Sequence, residues 1–216
     1  MSIRLMIAVP THDYVHVDFM RSLTELMQEL GRQKISYKLE ILSGTLVYIA
    51  RNRLAQKAVN EGYTHVLWLD SDMVFGEKIA EDMIDNAKDM VCGAFVSRRP
   101  PYGPCIYSSI RENNIKKVET FGLEPFIVDG CGFACVMTTT ELLRAVMQKY
   151  GTTFTPTSYY GEDLAFCWRV KSLGRKIWCD PTVRPGHIAH APVYVDEKPF
   201  RSETEENKTD YGICEA

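Results

Sequence analysis

The sequence predicts an α/β fold: a mostly parallel central sheet covered by helices on both faces. Three observations lead there. Short apolar runs alternate with stretches of helical periodicity over the first 100 residues. The first run is closed by Pro10, and the third runs straight into Asp70-Ser71-Asp72. A β-α-β-α-β-α-β order is what results when crossover helices join parallel strands.

Residues 3–9 form the first apolar run, which fits a buried strand. Phe19, Leu23, Leu26, Met27 and Leu30 then recur at helical spacing, with Gly31 placed as a C-cap. Residues 36–42 alternate weakly as a second strand, and Ser43-Gly44 is its turn. A helix over 46–60 carries Leu46, Ile49, Ala50, Leu54, Ala58 and Val59 on its apolar side, with Gly62 beyond its end. The third strand covers 65–69, a helix follows over 77–88, and a β-branched and aromatic run spans 90–96. Arg98-Arg99-Pro100-Pro101-Tyr102-Gly103-Pro104 rules out regular structure, and the polar stretch to Lys117 reads as a hairpin or loop excursion. Strand signals return at 126–128 and 133–137, helices at 141–150 and from Glu162-Asp163 to Gly174, and final strands at 176–179 and 183–189.

With 216 residues, 45% hydrophobic and 25% charged, the chain is expected to form one domain over 1–195 with an acidic tail over 196–216. The formal charge is −3, but the tail holds seven acids and three bases, so the body sums to +1. That balance argues against a nucleic-acid binder working by bulk charge. No apolar stretch is long enough for a transmembrane helix, and the short N-terminal run does not make a signal peptide. Seven cysteines are scattered without a CxxC pair, which fits reduced thiols of a cytoplasmic protein.

Asp70-Ser71-Asp72 is the strongest chemical feature. Two carboxylates two residues apart, just past a strand, can turn toward a ligand, and hard divalent cations commonly bridge such carboxylates and substrate phosphates. A solvated turn uses the same residue types. The turn after the first strand, Pro10-Thr11-His12-Asp13, lacks glycine, so there is no dinucleotide fingerprint, and GxxxxGK[ST] is absent from the chain. Gly130-Cys131-Gly132 is a weak phosphate cradle, so a bound pyrophosphate would need a metal to neutralise most of its charge. Glu162 and Asp163 open a helix, where acids are also favoured by the macrodipole; Asp163 could instead point into a cleft as a general base. In Pro185-Gly186-His187-Ile188-Ala189-His190, His187 is a candidate imidazole ligand at a strand end, or a structural histidine.

Taken in order, these features resemble glycosyltransferases of the GT-A (nucleotide-diphospho-sugar transferase) fold, most closely the large family 2 and its relatives. Ala50-Arg51-Asn52-Arg53-Leu54 through His65–Met73 is similar to the family's stretch from the nucleotide site to its DxD motif, and residues 160–174 to its ED segment. The resemblance implies that Pro10, Thr11 and His12 contact the nucleotide. The family's base-reading Asp is absent, and Ser43-Gly44 stands in its place. Arg51 matches the basic residue near base and phosphates, and Asn52 would hold the turn. Asp70 would face the ribose or the metal beside Ser71, and Asp72 with His187 would bind Mn²⁺ (or Mg²⁺). Asp129 is a candidate for a sugar hydroxyl. Asp163 falls on the catalytic base of inverting members, with Glu162 the second choice.

The implied activity is metal-dependent transfer of a sugar from a UDP-sugar, or a GDP-sugar, to a glycan, lipid-linked or protein hydroxyl. The acceptor would be held by residues 98–138, the tail or another chain, a second copy included. Competing readings are a sugar nucleotidyltransferase, which would carry a glycine-rich basic signature after the first strand, a dehalogenase-type phosphatase using Asp70, and a non-catalytic nucleotide-sugar-binding module.

Overall fold

The structure, a computed structural model, describes residues 2–112 and 114–189, and residues 194–195 in backbone only. His190 and the acidic stretch 196–216, with its expected role as tail, lie outside the described residues. The chain begins with strand β1 (Arg4–Pro10), helix α1 (Val17–Arg32), β2 (Ser36–Leu42), α2 (Val47–Asn60), β3 (His65–Leu69) and β4 (Met73–Val74). Next come α3 (Ile79–Asp85), β5 (Met90–Gly93), β6 (Ile106–Arg111), β7 (Asn114–Lys117), β8 (Phe126–Val128), β9 (Gly130–Cys131) and β10 (Cys135–Thr139). The last elements are α4 (Thr140–Tyr150), α5 (Glu162–Ser172), β11 (Ile177–Asp180), β12 (Gly186–Ile188) and β13 (Tyr194–Val195).

The main sheet has seven strands in the order β2-β1-β3-β10-β5-β11-β8. Strands β1, β2, β3, β5 and β11 run one way, while β10 and β8 run against them. The 133–137 signal was legible as a strand, but its antiparallel place between β3 and β5 was not. The reason lies in the excursion that precedes it. After β5 the chain stays at the carboxyl edge, where Cys105 N–H donates to Phe95 O, Gly132 N–H to Cys105 O and Asp70 N–H to Ala134 O. A segment that enters the sheet from that edge must run backwards through it. The expected hairpin within 98–125 is present as β6–β7, to which β9 adds a third strand.

Both faces of the sheet are covered. Leu5, Ile7 and Val9 of β1 pack with Phe19, Leu23 and Leu26 of α1 and with Ile79 and Met83 of α3. Met6 and Ala8, one residue out of phase, pack with Leu54 and Ala58 of α2, Leu142 and Val146 of α4, and Phe166 and Val170 of α5. This two-sided burial is why β1 reads as a continuous apolar run rather than as an alternation. Trp68 is fully buried between Phe133 and Phe154, at centroid distances of 6.1 and 5.1 Å. Its indole N–H donates to Thr138 Oγ1 at 3.0 Å. Trp68 is therefore a core residue, as its position inside an apolar strand implies.

Several elements depart from the sequence pattern: the 90–96 run is β5 only as far as Gly93, and 183–189 is β12 only over Gly186–Ile188. Gly31 lies inside α1 and does not cap it. Lys34 takes the left-handed conformation instead, at φ 57°, and Ile35 N–H reaches back to Leu30 O at 3.0 Å. Helix α3 is shorter than expected because Asn86 turns its side chain onto Asp82 O and Asp180 Oδ2, and Ala87 adopts φ 49°. The two-residue β4 went unseen because it exists only through its pairing with β12. Among the described residues no helix is long and apolar enough to cross a membrane.

Replacing Thr138 with Val keeps the shape of the core but strands the Trp68 indole N–H. We expect the variant to lose about 1–3 kcal/mol of unfolding free energy in urea titration, with an unchanged m value.

Candidate functional site

Because β1, β2 and β3 are parallel, Pro10, Leu42 and Leu69 end at one edge of the sheet. Ligands of open α/β sheets gather at this edge. A cleft of about 720 Å³ opens there, lined by Pro10, Thr11 and His12, by 44–47, by Asp70, Ser71 and Asp72, and by Arg98 and His187. Its floor is stitched by backbone bonds: Thr11 N–H donates to Leu42 O at 3.0 Å, and Gly44 N–H to His12 O at 3.2 Å. Gly44 sits at φ 72°, the left-handed region that glycine tolerates without strain. The Thr11 hydroxyl lies 3.0 Å from both Tyr14 O and Ser71 Oγ, which joins the first loop to the Asp-Ser-Asp loop.

Beneath the cleft, Arg51 is 2% exposed. Its Nη2 donates to Asp70 Oδ1 at 2.9 Å and its Nη1 to Glu162 Oε1 at 3.0 Å, and the same Nη1 holds Asp163 Oδ1 in a close contact. Helix α2 carries Arg51 inward, β3 delivers Asp70, and the first turn of α5 delivers both acids. Gly161 caps α5 without a side-chain bond, so neither acid is spent on the helix start. The ring of Phe133 lies under the guanidinium carbon at 5.4 Å. Asn52 and Arg169 clamp the loop before α5 from two sides: Asn52 Oδ1 accepts from Phe154 N–H at 2.7 Å, and Arg169 donates to Thr153 O at 2.8 Å.

Burial alone would lower the Arg51 pKa, but the three carboxylates outweigh it, so the guanidinium stays charged. Burial raises Asp70, against the pull of Arg51. Asp163 is pushed up to about 6, first by burial and then by Glu162 and Asp70, with Arg51 opposing.

The second cluster lies at the rim. Ile188 N–H donates to Asp72 O at 2.8 Å, and β12 pairs His187 with Met73, so the imidazole is brought beside Asp72. His187 Nε2 stands 3.4 Å from Asp72 Oδ2, while its Nδ1 is 2.9 Å from Val96 O. An imidazole anchored through one nitrogen presents the other in a set direction. Arg98 forms a close ion pair with Asp72 Oδ2. Burial works to raise Asp72 and to lower His187, but their mutual contact wins in both cases, with Arg98 adding its pull on Asp72.

The structure thus brings Pro10, Thr11, His12, Ser71, Asp70, Asp72 and His187 to one cleft, with Arg51, Glu162 and Asp163 behind it. Three of the candidates for contact with the nucleotide sugar lie outside the lining of this cleft. Arg51 is buried in ion pairs to Asp70, Glu162 and Asp163 and does not line the cleft. Ser43 is exposed outside the cleft, where Gly44 to Val47 take its place. Asp129 is ion-paired to Lys171 of α5 and does not line the cleft. Arg98, which with Arg99 reads in the sequence either as a solvated loop or as a basic pair able to meet phosphate, lines the cleft as well.

Among the described residues no group of three or more His, Cys, Asp or Glu side chains is gathered to hold a metal ion. Asp70 offers little to one, since its Oδ1 is held by Arg51. Asp72 and His187 still provide an oxygen and an oriented imidazole nitrogen, a donor pair suited to Mn²⁺. They fit an ion whose remaining ligands come from a substrate diphosphate and water.

Removing the buried Arg51 charge should leave three half-buried carboxylates crowded together without their cation. For Arg51→Met we expect a loss of about 3–5 kcal/mol in unfolding free energy at pH 8. The deficit should shrink at pH 5, where protonation relieves the carboxylates, as paired denaturant titrations would show.

No family model matches the chain, and no curated protein sequence matches it. Among solved structures it is similar to A197 from STIV, with TM-score 0.60 and 16% identity over 97% of this chain and 99% of that one. It is also similar to GalNAc-T7, crystallised with UDP, GalNAc and Mn²⁺, with TM-score 0.55 and 11% identity over 93% of this chain. The chain spans 45% of the GalNAc-T7 chain. At these identities the likeness is one of fold, and the mixed α/β architecture with its mostly parallel sheet is consistent with the GT-A fold of GalNAc-T7.

Proposed function

We propose that the chain is a metal-dependent glycosyltransferase that moves a sugar from a nucleotide-diphosphate donor, a UDP-sugar by preference, to a hydroxyl acceptor. One observation carries the proposal: a cleft at the sheet's carboxyl edge has an oriented Asp72–His187 pair at its rim and a carboxylate of raised pKa, Asp163, behind it. The fold shared with a protein crystallised with UDP, GalNAc and Mn²⁺ supports the donor class.

The charge balance of the site bears on the metal. Asp70, Asp72, Glu162 and Asp163 meet the guanidiniums of Arg51 and Arg98, and Asp72 also meets His187; with the imidazole neutral, as a metal ligand must be, this leaves two formal negative charges. A nucleotide diphosphate carries negative charge of its own, so the cleft needs a further cation to accept it. Asp72 and His187 would hold that cation, and Mn²⁺ or Mg²⁺ bound there would stabilise the leaving diphosphate. Thr11, His12 and the 44–47 segment would seat the nucleoside. Asp70, with Oδ1 on Arg51, is held in one orientation toward the donor.

Asp163 acts as the base. It takes the acceptor hydroxyl proton as that oxygen attacks the anomeric carbon, while the bond to the diphosphate breaks. A pKa near 6 keeps it ionised at neutral pH yet makes it a stronger base than an ordinary carboxylate. Arg51 positions it and prevents burial from neutralising it altogether.

UDP binding by calorimetry should require Mn²⁺ and vanish with EDTA or in Asp72→Ala; metal-independent UDP binding would remove the metal from the site. Asp163→Asn should abolish transfer yet retain UDP binding, and loss of both would make the residue structural. The pH–rate profile of kcat/KM should fall about tenfold per unit below about pH 6 and level off above it, because only the Asp163 carboxylate accepts a proton.

A further inference from the structure

Arg98 has no part in the transfer step above, yet it occupies the atom on which metal binding depends. Its guanidinium is ion-paired to Asp72 Oδ2, the same oxygen that lies 3.4 Å from His187 Nε2. A divalent ion cannot reach that oxygen while the guanidinium remains. We propose that Arg98 is an exchange cation: it holds Asp72 until a divalent ion takes that carboxylate, and then moves onto the phosphate of the incoming nucleotide diphosphate. The inference rests on the donor-site assignment and adds a phosphate-binding residue to it.

The surrounding geometry favours movement of the side chain alone. The backbone around Arg98 is closed on itself, with Ser97 N–H donating to Gly103 O at 3.0 Å and Tyr102 N–H to Arg99 O at 2.9 Å. Val96, two residues earlier, is bridged to Pro104, and its carbonyl is the partner of His187 Nδ1 at 2.9 Å. The segment that anchors the imidazole is thus kept still while the Arg98 side chain, 40% exposed, is free to turn. Arg98 and Asp72 line the same cleft, so a displaced guanidinium remains within it. There it would meet the strongest acceptors available, because a planar guanidinium matches phosphate oxygens in bidentate fashion. Arg51 cannot take this part, since it is buried beneath three carboxylates. Exchange also avoids a charge problem: neither Asp72 nor the diphosphate is left without a cation at any stage.

The test separates the two halves of the exchange. Mn²⁺ binding without nucleotide is followed by the electron paramagnetic resonance of free Mn²⁺ for the wild type, Arg98→Met, Arg98→Lys and, as a control, Arg99→Met. UDP binding is then measured by calorimetry at saturating Mn²⁺, with circular dichroism to establish that each variant is folded. Removing the competitor should tighten Mn²⁺ by about five-fold in Arg98→Met, the scale of a partly exposed ion pair. The same variant should bind UDP about ten-fold more weakly, through loss of a charge-assisted phosphate contact. Arg98→Lys should fall between, and Arg99→Met should match the wild type. Unchanged or weaker Mn²⁺ binding in Arg98→Met, or unchanged UDP affinity, overturns the exchange while leaving the donor site in place. A wild type that binds neither Mn²⁺ nor UDP overturns both.

Discussion

One buried guanidinium organises the centre of this molecule. Arg51 leaves α2, passes over the Phe133 ring and meets carboxylates from β3 and from α5. A charge so far from water is tolerated only if it is paired and hydrogen-bonded. The converse also holds, because Asp70, Glu162 and Asp163 can sit together only while Arg51 is among them. The contact therefore sets where α5 docks against the sheet, and with it the position of a carboxylate whose pKa has risen to about 6. Arg51 Nε is left buried without a partner, so the network is tight on the carboxylate side and incomplete on the other.

Around that centre the fold sorts its charges into two tiers. The inner tier, Arg51 with three acids, is structural in its pairing and carries a surplus of negative charge. The outer tier gathers at the rim of the cleft: Asp72 just before β4, His187 on β12 which pairs with it, and Arg98 from the segment between β5 and β6. The two tiers are linked through the Asp-Ser-Asp loop, which contributes Asp70 inward and Asp72 outward. Strand alternation alone would put residues two apart on the same side, so it is the turn over 71–72, after β3 has ended, that sends the two carboxylates different ways. The −3 of the whole chain says little about this arrangement, because the local field in the cleft comes from the seven side chains of the two tiers.

Much of the frame was legible because it depends on local pattern. Strands β2 and β3 match their expected bounds residue for residue, β3 as a buried apolar run and β2 as a weakly alternating strand at the edge of the sheet. Helix starts at Val47, Thr140 and Glu162 lie within a residue of their sequence signals. Elements that depend on a distant partner were not legible: β4, which needs β12, and the antiparallel entry of β10, which needs the excursion before it. Gly31 failed as a helix end because Lys34 could take the left-handed turn three residues later.

The site divides in the same way. The sequence by itself determined the chemical inventory: two acids past β3, two more at a helix start, a histidine after a glycine and a buried-strand architecture that sends ligands to one edge. Tertiary structure alone decided the partners. It bound Arg51 to Asp70, Glu162 and Asp163, gave Asp129 to Lys171, set the 44–47 segment along the cleft, and brought Arg98 to Asp72 across 26 residues. The physical reason is that residue type limits which chemistry is possible, whereas an ion pair depends on distance and burial, and both are set by how far-separated segments pack.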